Sequence, residues 1–383
     1  MNAVGPSSVL DLSTTLFVAI ELSRVSWLVA VSSPSTGRTG RHKLRGGDVS
    51  GLLGLIERRA KQESQASGCE VTVVCSHEAG YDAFWLHRCL EAVGHTSYVI
   101  EPASLKVDRR ARRAKTDSID VEMLLRTTMA FCRGEQRVCA MVRPPTVAQE
   151  DARRTHRERK RLIRERVGHV NRIKGLLATQ GIFHYQPLAT DRRARLAELR
   201  AADGEPLPPC LERELRRELD RLELVLRQIV EVEAERDAAV VNAGEARPAI
   251  AALMQLKGIG PEIATVLTRE VFYRAFNNRR EVAAFAGLTP SPFRSGRMDR
   301  DQGISKTGNP LVRTTMVELA WLWLRHQAGS ALSGWYRAHF GSLTGRRRRI
   351  GIVALARKLL VALWRYVTTG LVPRDAFVPP PRN

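Results

Sequence analysis

The sequence predicts a mixed α/β domain followed by an all-α remainder, and three observations carry that expectation. Short β-branched, apolar runs alternate with helical patterns over the first hundred residues. The pattern breaks at Arg143-Pro144-Pro145. Beyond the break, apolar residues recur at helical spacing almost to the end of the chain.

The elements follow in order. Thr15 to Ile20 and Ser26 to Ser32 are strand-like, separated by Glu21-Leu22-Ser23-Arg24, and a third strand runs through Gly40 to Leu44 ahead of Gly46-Gly47. Asp48 caps a helix in which Leu52, Leu53, Leu55 and Ile56 keep helical spacing. Glu70 to Ser76 is a buried type of strand, Tyr81 to Val93 a helix and Ser97 to Ile100 another strand. Strands first and alternation afterwards make a mixed sheet, an order compatible with a ribonuclease H-like architecture over residues 12–145.

From Gln149 a long charged helix is expected, with ten Lys/Arg against three acidic residues between Asp151 and Lys174. That excess of one sign makes Arg153, Arg154, Arg157, Lys160, Arg161 and Arg164 candidate phosphate contacts, although such runs are commonly only solvated faces. After Gly204 to Pro209, Leu211 to Val240 resumes as a helix with a seam of Leu211, Leu215, Leu222, Val225 and Ile229. An antiparallel hairpin and a coiled coil with another subunit both fit this helical linker, residues 146–245. A helical domain is expected over 246–371, and a disordered Pro-rich tail over 372–383.

Composition narrows the function. A chain of 383 residues, 44% hydrophobic and 26% charged, can hold two or three domains with real cores. A net charge of +21 favours a polyanionic partner, because each neutralised phosphate releases counterions. The six cysteines form no CxxC pair and suit reduced thiols in a cytosolic protein, not a zinc site. No secretory pattern marks the first fifteen residues. The most apolar stretch, Ile350 to Val372, is interrupted by Arg357, Lys358 and Arg365, so it suits an amphipathic helix and not a membrane span.

Four acids carry the chemistry. Glu21 and Glu78 follow apolar runs, whereas Asp117 and Asp120 lie three apart at the start of a helical pattern. Together they can reach one sheet edge and hold Mg²⁺ (or Mn²⁺), hard cations that take oxygen donors and activate phosphodiester chemistry. Taken singly, Asp117 is equally a helix cap and Glu78 a loop residue. In Leu256-Lys257-Gly258-Ile259-Gly260-Pro261, Gly258 and Gly260 suit a helix-hairpin-helix whose amides meet a phosphate, or simply a tight turn. Ser295 stands between Arg294 and Arg297, with Lys306 and Arg313 further on; spacing alone favours an exposed Ser-Gly turn. Arg346, Arg347, Arg348 and Arg349 suggest a loop that tracks backbone phosphate without reading bases.

These residues, in this order, resemble the DEDD-type transposases of the insertion sequence 110 family, RNA-guided DNA recombinases. The likeness runs over about residues 15–345. It is carried by Val18-Ala19-Ile20-Glu21-Leu22-Ser23, His77-Glu78-Ala79-Gly80-Tyr81, Lys115 to Asp120, Leu256 to Ala264, Phe285 to Pro290, Ser295-Gly296 and Gly303 to Asn309. It implies a RuvC-like domain, a coiled-coil linker and a C-terminal transposase domain, in a bacterial, nucleoid-associated protein. It further implies a metal site at Glu21, Glu78, Asp117 and Asp120, and a nucleophile at Ser295 that links covalently to DNA. The partners implied are double-stranded DNA at the element ends and target, a non-coding guide RNA and further copies of the chain in a homo-oligomer. Glu21 departs from the aspartate usual at that position, moving the carboxylate by roughly an ångström, a distance that matters to catalysis. A RuvC-like junction nuclease, with water as nucleophile, and a decayed, non-catalytic nucleic-acid-binding transposase are the alternatives.

Overall fold

In a computed structural model, which describes residues 11–80, 83–105, 117–241, 244–295 and 298–378, the run Leu16-Phe17-Val18-Ala19-Ile20 lies in β1 (Thr15–Glu21). Backbone alone is described for residues 103, 117, 245, 293–295 and 298–302. Every β1 residue before Glu21 is buried, as a strand covered on both faces requires. It pairs antiparallel with β2 (Ser26–Ser32), which pairs antiparallel with β3 (Thr39–Arg45). β3 alternates exposed and half-buried residues and carries Arg41, Lys43 and Arg45, charges that suit an edge strand.

The Asp48 carboxylate accepts the Gly51 amide at 2.8 Å and starts α1 (Val49–Ser67). The left-handed Gly68, at φ 69°, ends it. The chain continues through β4 (Thr72–Glu78), α2 (Ala83–Ala92), β5 (Thr96–Ile100), α3 (Asp117–Cys132) and the short β6 (Met141–Val142). β4 is parallel to β1 and β5 to β4, giving the sheet order β3-β2-β1-β4-β5-β6. Val18 and Ile20 pack with α1 and α2 on one face, and Phe17 and Ala19 pack with Val121, Leu124 and Leu125 of α3 on the other. Glu21 thus shares the α3 face with Ala19.

The chain divides into two compact units, Met1–Thr146 and Val147–Asn383. In the second, the single charged helix expected from Gln149 is broken into α4 (Val147–Asp151) and α5 (Arg154–Ala178). At the break Arg153 turns inward, where its Nε donates to the Arg269 carbonyl oxygen at 2.9 Å and its guanidinium lies 4.1 Å from the Tyr273 ring centroid. After α6 (Arg192–Glu198), α7 (Pro209–Val241) runs back along α5. The pairs Arg159–Glu233, His169–Glu218 and Arg172–Glu214, each at 2.6 Å, fix an antiparallel hairpin within one chain. Leu215, Leu222, Val225 and Ile229 are buried in its seam, whereas Leu211 is only partly covered.

The C-terminal part contains α8 (Arg247–Met254), α9 (Pro261–Leu267), a π turn (Thr268–Phe272) and α10 (Arg279–Phe285). β7 (Pro290–Ser295), β8 (Met298–Ile304), α11 (Pro310–His326), α12 (Ala331–Phe340) and α13 (Gly345–Thr369) complete it. Leu355, Leu359 and Leu363 of α13 pack against Met316, Leu319 and Trp323 of α11.

Three expectations are corrected here. The domain is not all-α, because β7 and β8 form an antiparallel hairpin that the prolines and polar residues of 290–303 disguise. Arg346 to Arg349 are not in a loop but in the first turns of α13, continuous with the leucines that anchor that helix. The tail does not lose order at 372. Phe377 exchanges bonds with Gln327, its amide donating to Oε1 at 2.6 Å and its carbonyl accepting from Nε2 at 2.9 Å. Residues 379–383 lie outside the described residues. Among the described residues no helix is long and apolar enough to cross a membrane.

Candidate functional site

Strand register brings two of the four acids together. β1 and β4 are parallel with Ile20 opposite His77, so Glu21 and Glu78, one step further, end neighbouring strands at the same edge. Side chains alternate along a strand. Ser76 faces α3, because the Thr128 hydroxyl donates to its Oγ at 2.7 Å, and Glu78 two residues later faces the same way. His77 faces α2 instead, with Nε2 2.8 Å from the Ala83 carbonyl. Glu21 and Glu78 are therefore neighbours on the face covered by α3, the helix that opens with Asp117 and carries the half-buried Asp120. Arg41 anchors that helix through Ser118 and through Glu122 at 3.0 Å.

Among the described residues no three or more His, Cys, Asp or Glu side chains gather closely enough to hold a metal. The Asp117 side chain lies outside them. Magnesium needs only one or two carboxylates when substrate phosphates and water complete its shell. The adjacent Glu21 and Glu78 fit that requirement as a hard-donor pair.

Ser295 ends β7, with Met298 as its partner across the hairpin. Gly296 and Arg297, which join them, lie outside the described residues. Arg294 is placed opposite Asp299 in the ladder. The hairpin foot is tightly held. The Ser305 amide donates to the Thr289 carbonyl at 2.8 Å, and the exposed Lys306 takes a left-handed φ of 59°. Gly308 lies so close to Phe285 that a Cβ would meet its carbonyl oxygen at 2.2 Å. Gly308→Ala should therefore destabilise the domain by about 1–3 kcal/mol, read as a lowered thermal midpoint; an unchanged midpoint would mean that this approach is not tight.

Asn309 then caps α11, its Oδ1 accepting from the Leu311 and Val312 amides at 3.0 and 3.3 Å. Its Nδ2 donates to Glu270 Oε2 at 3.2 Å. Glu270 is 2% exposed and sits on the π turn between α9 and α10. His156 Nε2 lies 2.8 Å from its Oε1, and Arg157 donates to both oxygens at 2.6 and 2.9 Å. Burial would raise this carboxyl, but the bonds from His156 and Arg157, with their charges, hold it at about 2. One carboxylate thus ties the foot of the serine hairpin to the start of α5.

The candidate phosphate contacts divide accordingly. Arg153 is buried and so is withdrawn from the set as an internal tie, whereas Arg157 pairs with Glu270 but keeps a half-exposed side chain. Arg154 pairs with Asp151 at 3.2 Å and Arg161 with Glu165 at 3.3 Å, at the surface. Lys160 is half-buried, whereas Arg164 and Arg346 to Arg349 are exposed. Arg313 donates to the Ala286 carbonyl at 3.4 Å.

The glycine pair also separates. Gly258 has a φ of 96° and its open side faces His326, while the Lys257 carbonyl accepts from Gln327 at 2.9 Å. Those demands explain that glycine without a ligand. Gly260, exposed and ahead of α9, has open space around it.

The sequence reading missed Glu270 and His156. The available signal was the charged pair Arg269-Glu270 between Leu267 and Val271-Phe272, apolar flanks suited to burial.

Residues 250–333, spanning the π turn, the hairpin and α11, match the model of the transposase IS116/IS110/IS902 family. The chain is 51% identical to the putative transposase y4rJ of Sinorhizobium fredii, over 96% of this chain and 95% of that protein. It is 30% identical to a probable family 20 transposase of Pseudomonas aeruginosa, over 76% of this chain and 82% of the relative. It is 27% identical to the transposase for insertion sequence element IS1328 of Yersinia enterocolitica, over 78% and 85% of the two chains.

Proposed function

Because the chain belongs to the IS116/IS110/IS902 family of transposases, we propose that it cuts and exchanges DNA strands through a phosphoserine link at Ser295, with an acidic metal site at Glu21, Glu78, Asp117 and Asp120. The observation that carries the reading is the adjacency of Glu21 and Glu78 at one sheet edge, on the α3 face. The sheet order β3-β2-β1-β4-β5, antiparallel at first and parallel after β1, supports a ribonuclease H-like, RuvC-like domain around that edge.

Ser295 Oγ loses its proton and bonds to phosphorus as the bond from phosphorus to the sugar oxygen breaks, and that oxygen takes up a proton to leave as a hydroxyl. The phosphoserine keeps the energy of the broken linkage. A sugar hydroxyl from a second strand can therefore displace the serine and rejoin the chain without an added energy source. Arg294 and Arg297, flanking the serine, supply positive charge to the crowded phosphorus, and Arg313 stands further along the same segment. Mg²⁺ or Mn²⁺ held by the acids would supply Lewis-acid activation of a phosphodiester.

The net charge of +21 and the exposed arginines suit phosphate backbones and carry no base code. A guide RNA would then supply sequence choice, and a homo-oligomer would bring two DNA partners together. Asp120→Ala tests the enzyme against the non-catalytic binder. Recombination of two DNAs, with Mg²⁺ and the RNA that copurifies, is expected to fall on the order of 100-fold. Recombination undiminished in that variant would remove the acidic site from the mechanism.

A further inference from the structure

We infer that a cleft between the foot of the β7–β8 hairpin and α13 receives a short stretch of single-stranded nucleic acid, bases on its floor and phosphates on its rim. The inference rests on the strand-exchange reading and specifies the form of substrate that this domain takes. The cleft encloses about 800 Å³. Pro290 and Ile304 from the hairpin foot and Val353, Ala354 and Val361 from α13 make an apolar floor. Lys306, Arg346, Arg349, Arg357 and Arg365 stand around it, and among the residues whose side chains are described no Asp or Glu lines it. Trp335 closes one wall, with the Lys358 ammonium 4.5 Å from its ring centroid.

Arg346, Arg349, Val353, Arg357, Val361 and Arg365 recur at three- or four-residue steps, so they follow one face of α13. From the first to the last is roughly 28 Å at the helical rise. That length accommodates roughly four unstacked nucleotides, the lower end for grooves of this kind. The floor decides between forms of nucleic acid. A duplex keeps its base faces stacked inside and offers phosphate and sugar, for which an apolar floor has no use. An unpaired strand offers both charge and apolar base faces, the combination that a cationic groove with an aromatic wall takes. The hairpin that forms the foot of the cleft runs to Ser295 over about 17 Å at the rise of a strand. A strand seated there lies within one hairpin length of the proposed nucleophile.

The test uses the full chain and fluorescein-labelled oligonucleotides of about 12 nucleotides, as single-stranded DNA, single-stranded RNA and duplex DNA, read by fluorescence anisotropy. Val353→Trp fills the floor and keeps every cation; Ala354→Leu is a smaller plug should the first variant melt early. Either plug is expected to weaken the preferred single strand by roughly tenfold and the duplex by less than about twofold. Loss on the DNA strand assigns the cleft to element or target DNA, and loss on the RNA strand assigns it to a guide. Equal loss on the duplex, or no loss on either single strand in a folded variant, overturns the inference and leaves duplex binding intact as support for the transposase. Failure of the unmodified protein to bind any of the three overturns both.

Discussion

Glu270→Ala is expected to lower the stability of the unit that contains it by about 3–5 kcal/mol, the usual cost of removing one member of a buried charge pair. The carboxylate is 2% exposed and receives His156, both faces of the Arg157 fork and Asn309. Its loss strands His156, which is 1% exposed, with no acceptor. Glu270→Gln keeps the shape but loses the charge, so it should fall between the wild type and the alanine variant in urea midpoint. The pH dependence has a definite sign. The folded carboxyl titrates at about 2 against an ordinary 4.5. Its contribution is therefore complete above pH 4.5 and drains away as pH falls toward 2. Wild type and Glu270→Gln should differ most near neutrality and converge in acid. Parallel curves, or equal midpoints at pH 7, would remove this junction as a source of stability.

Ser295→Ala is expected to abolish the covalent protein–DNA adduct and to cut recombination by at least about 10⁴-fold, the scale seen when a nucleophile is deleted. DNA affinity should stay near that of the wild type, since one hydroxyl adds little to a backbone-dominated interface. The adduct is read as DNA that resists phenol extraction. Strand cutting that continues unchanged in the variant would point to water as the nucleophile, and so to a junction nuclease. Gly308→Ala offers a contrast, because it is expected to lower the melting point by disturbing the hairpin foot without touching the hydroxyl.

Much of the sheet was legible because burial writes itself into the strands. Leu16 to Ile20 is apolar on both faces, and Ser26 to Ser32 matches β2 residue for residue. Asp48 announced α1 because a carboxylate before an apolar helix has few other uses. What escaped depends on tertiary contact. The β7–β8 hairpin has Pro290 and Pro292 where strand propensity is poor, so pairing across the turn overrides the local preference. Arg153 and Arg157 looked like phosphate ligands because charge counting cannot see a backbone carbonyl, or an acid, more than a hundred residues away. Of the four acids, strand register places only Glu21 and Glu78 side by side, since it fixes neighbours without side-chain detail. Arg346 to Arg349 seemed detached from the apolar run that follows, although both belong to α13.

The α5–α7 hairpin bears on the order in which this polypeptide acquires its form. Its ion pairs join residues 42 to 74 apart in sequence, whereas the bonds from His156 and Arg157 to Glu270 close loops of 114 and 113. Short loops close at smaller entropic cost. We expect the helical arm to zip up while α8 and later segments are still emerging from the ribosome, so that it offers a preformed template. Glu270 then docks late, and a nascent chain stalled before residue 270 should already protect the arm's amides from hydrogen exchange.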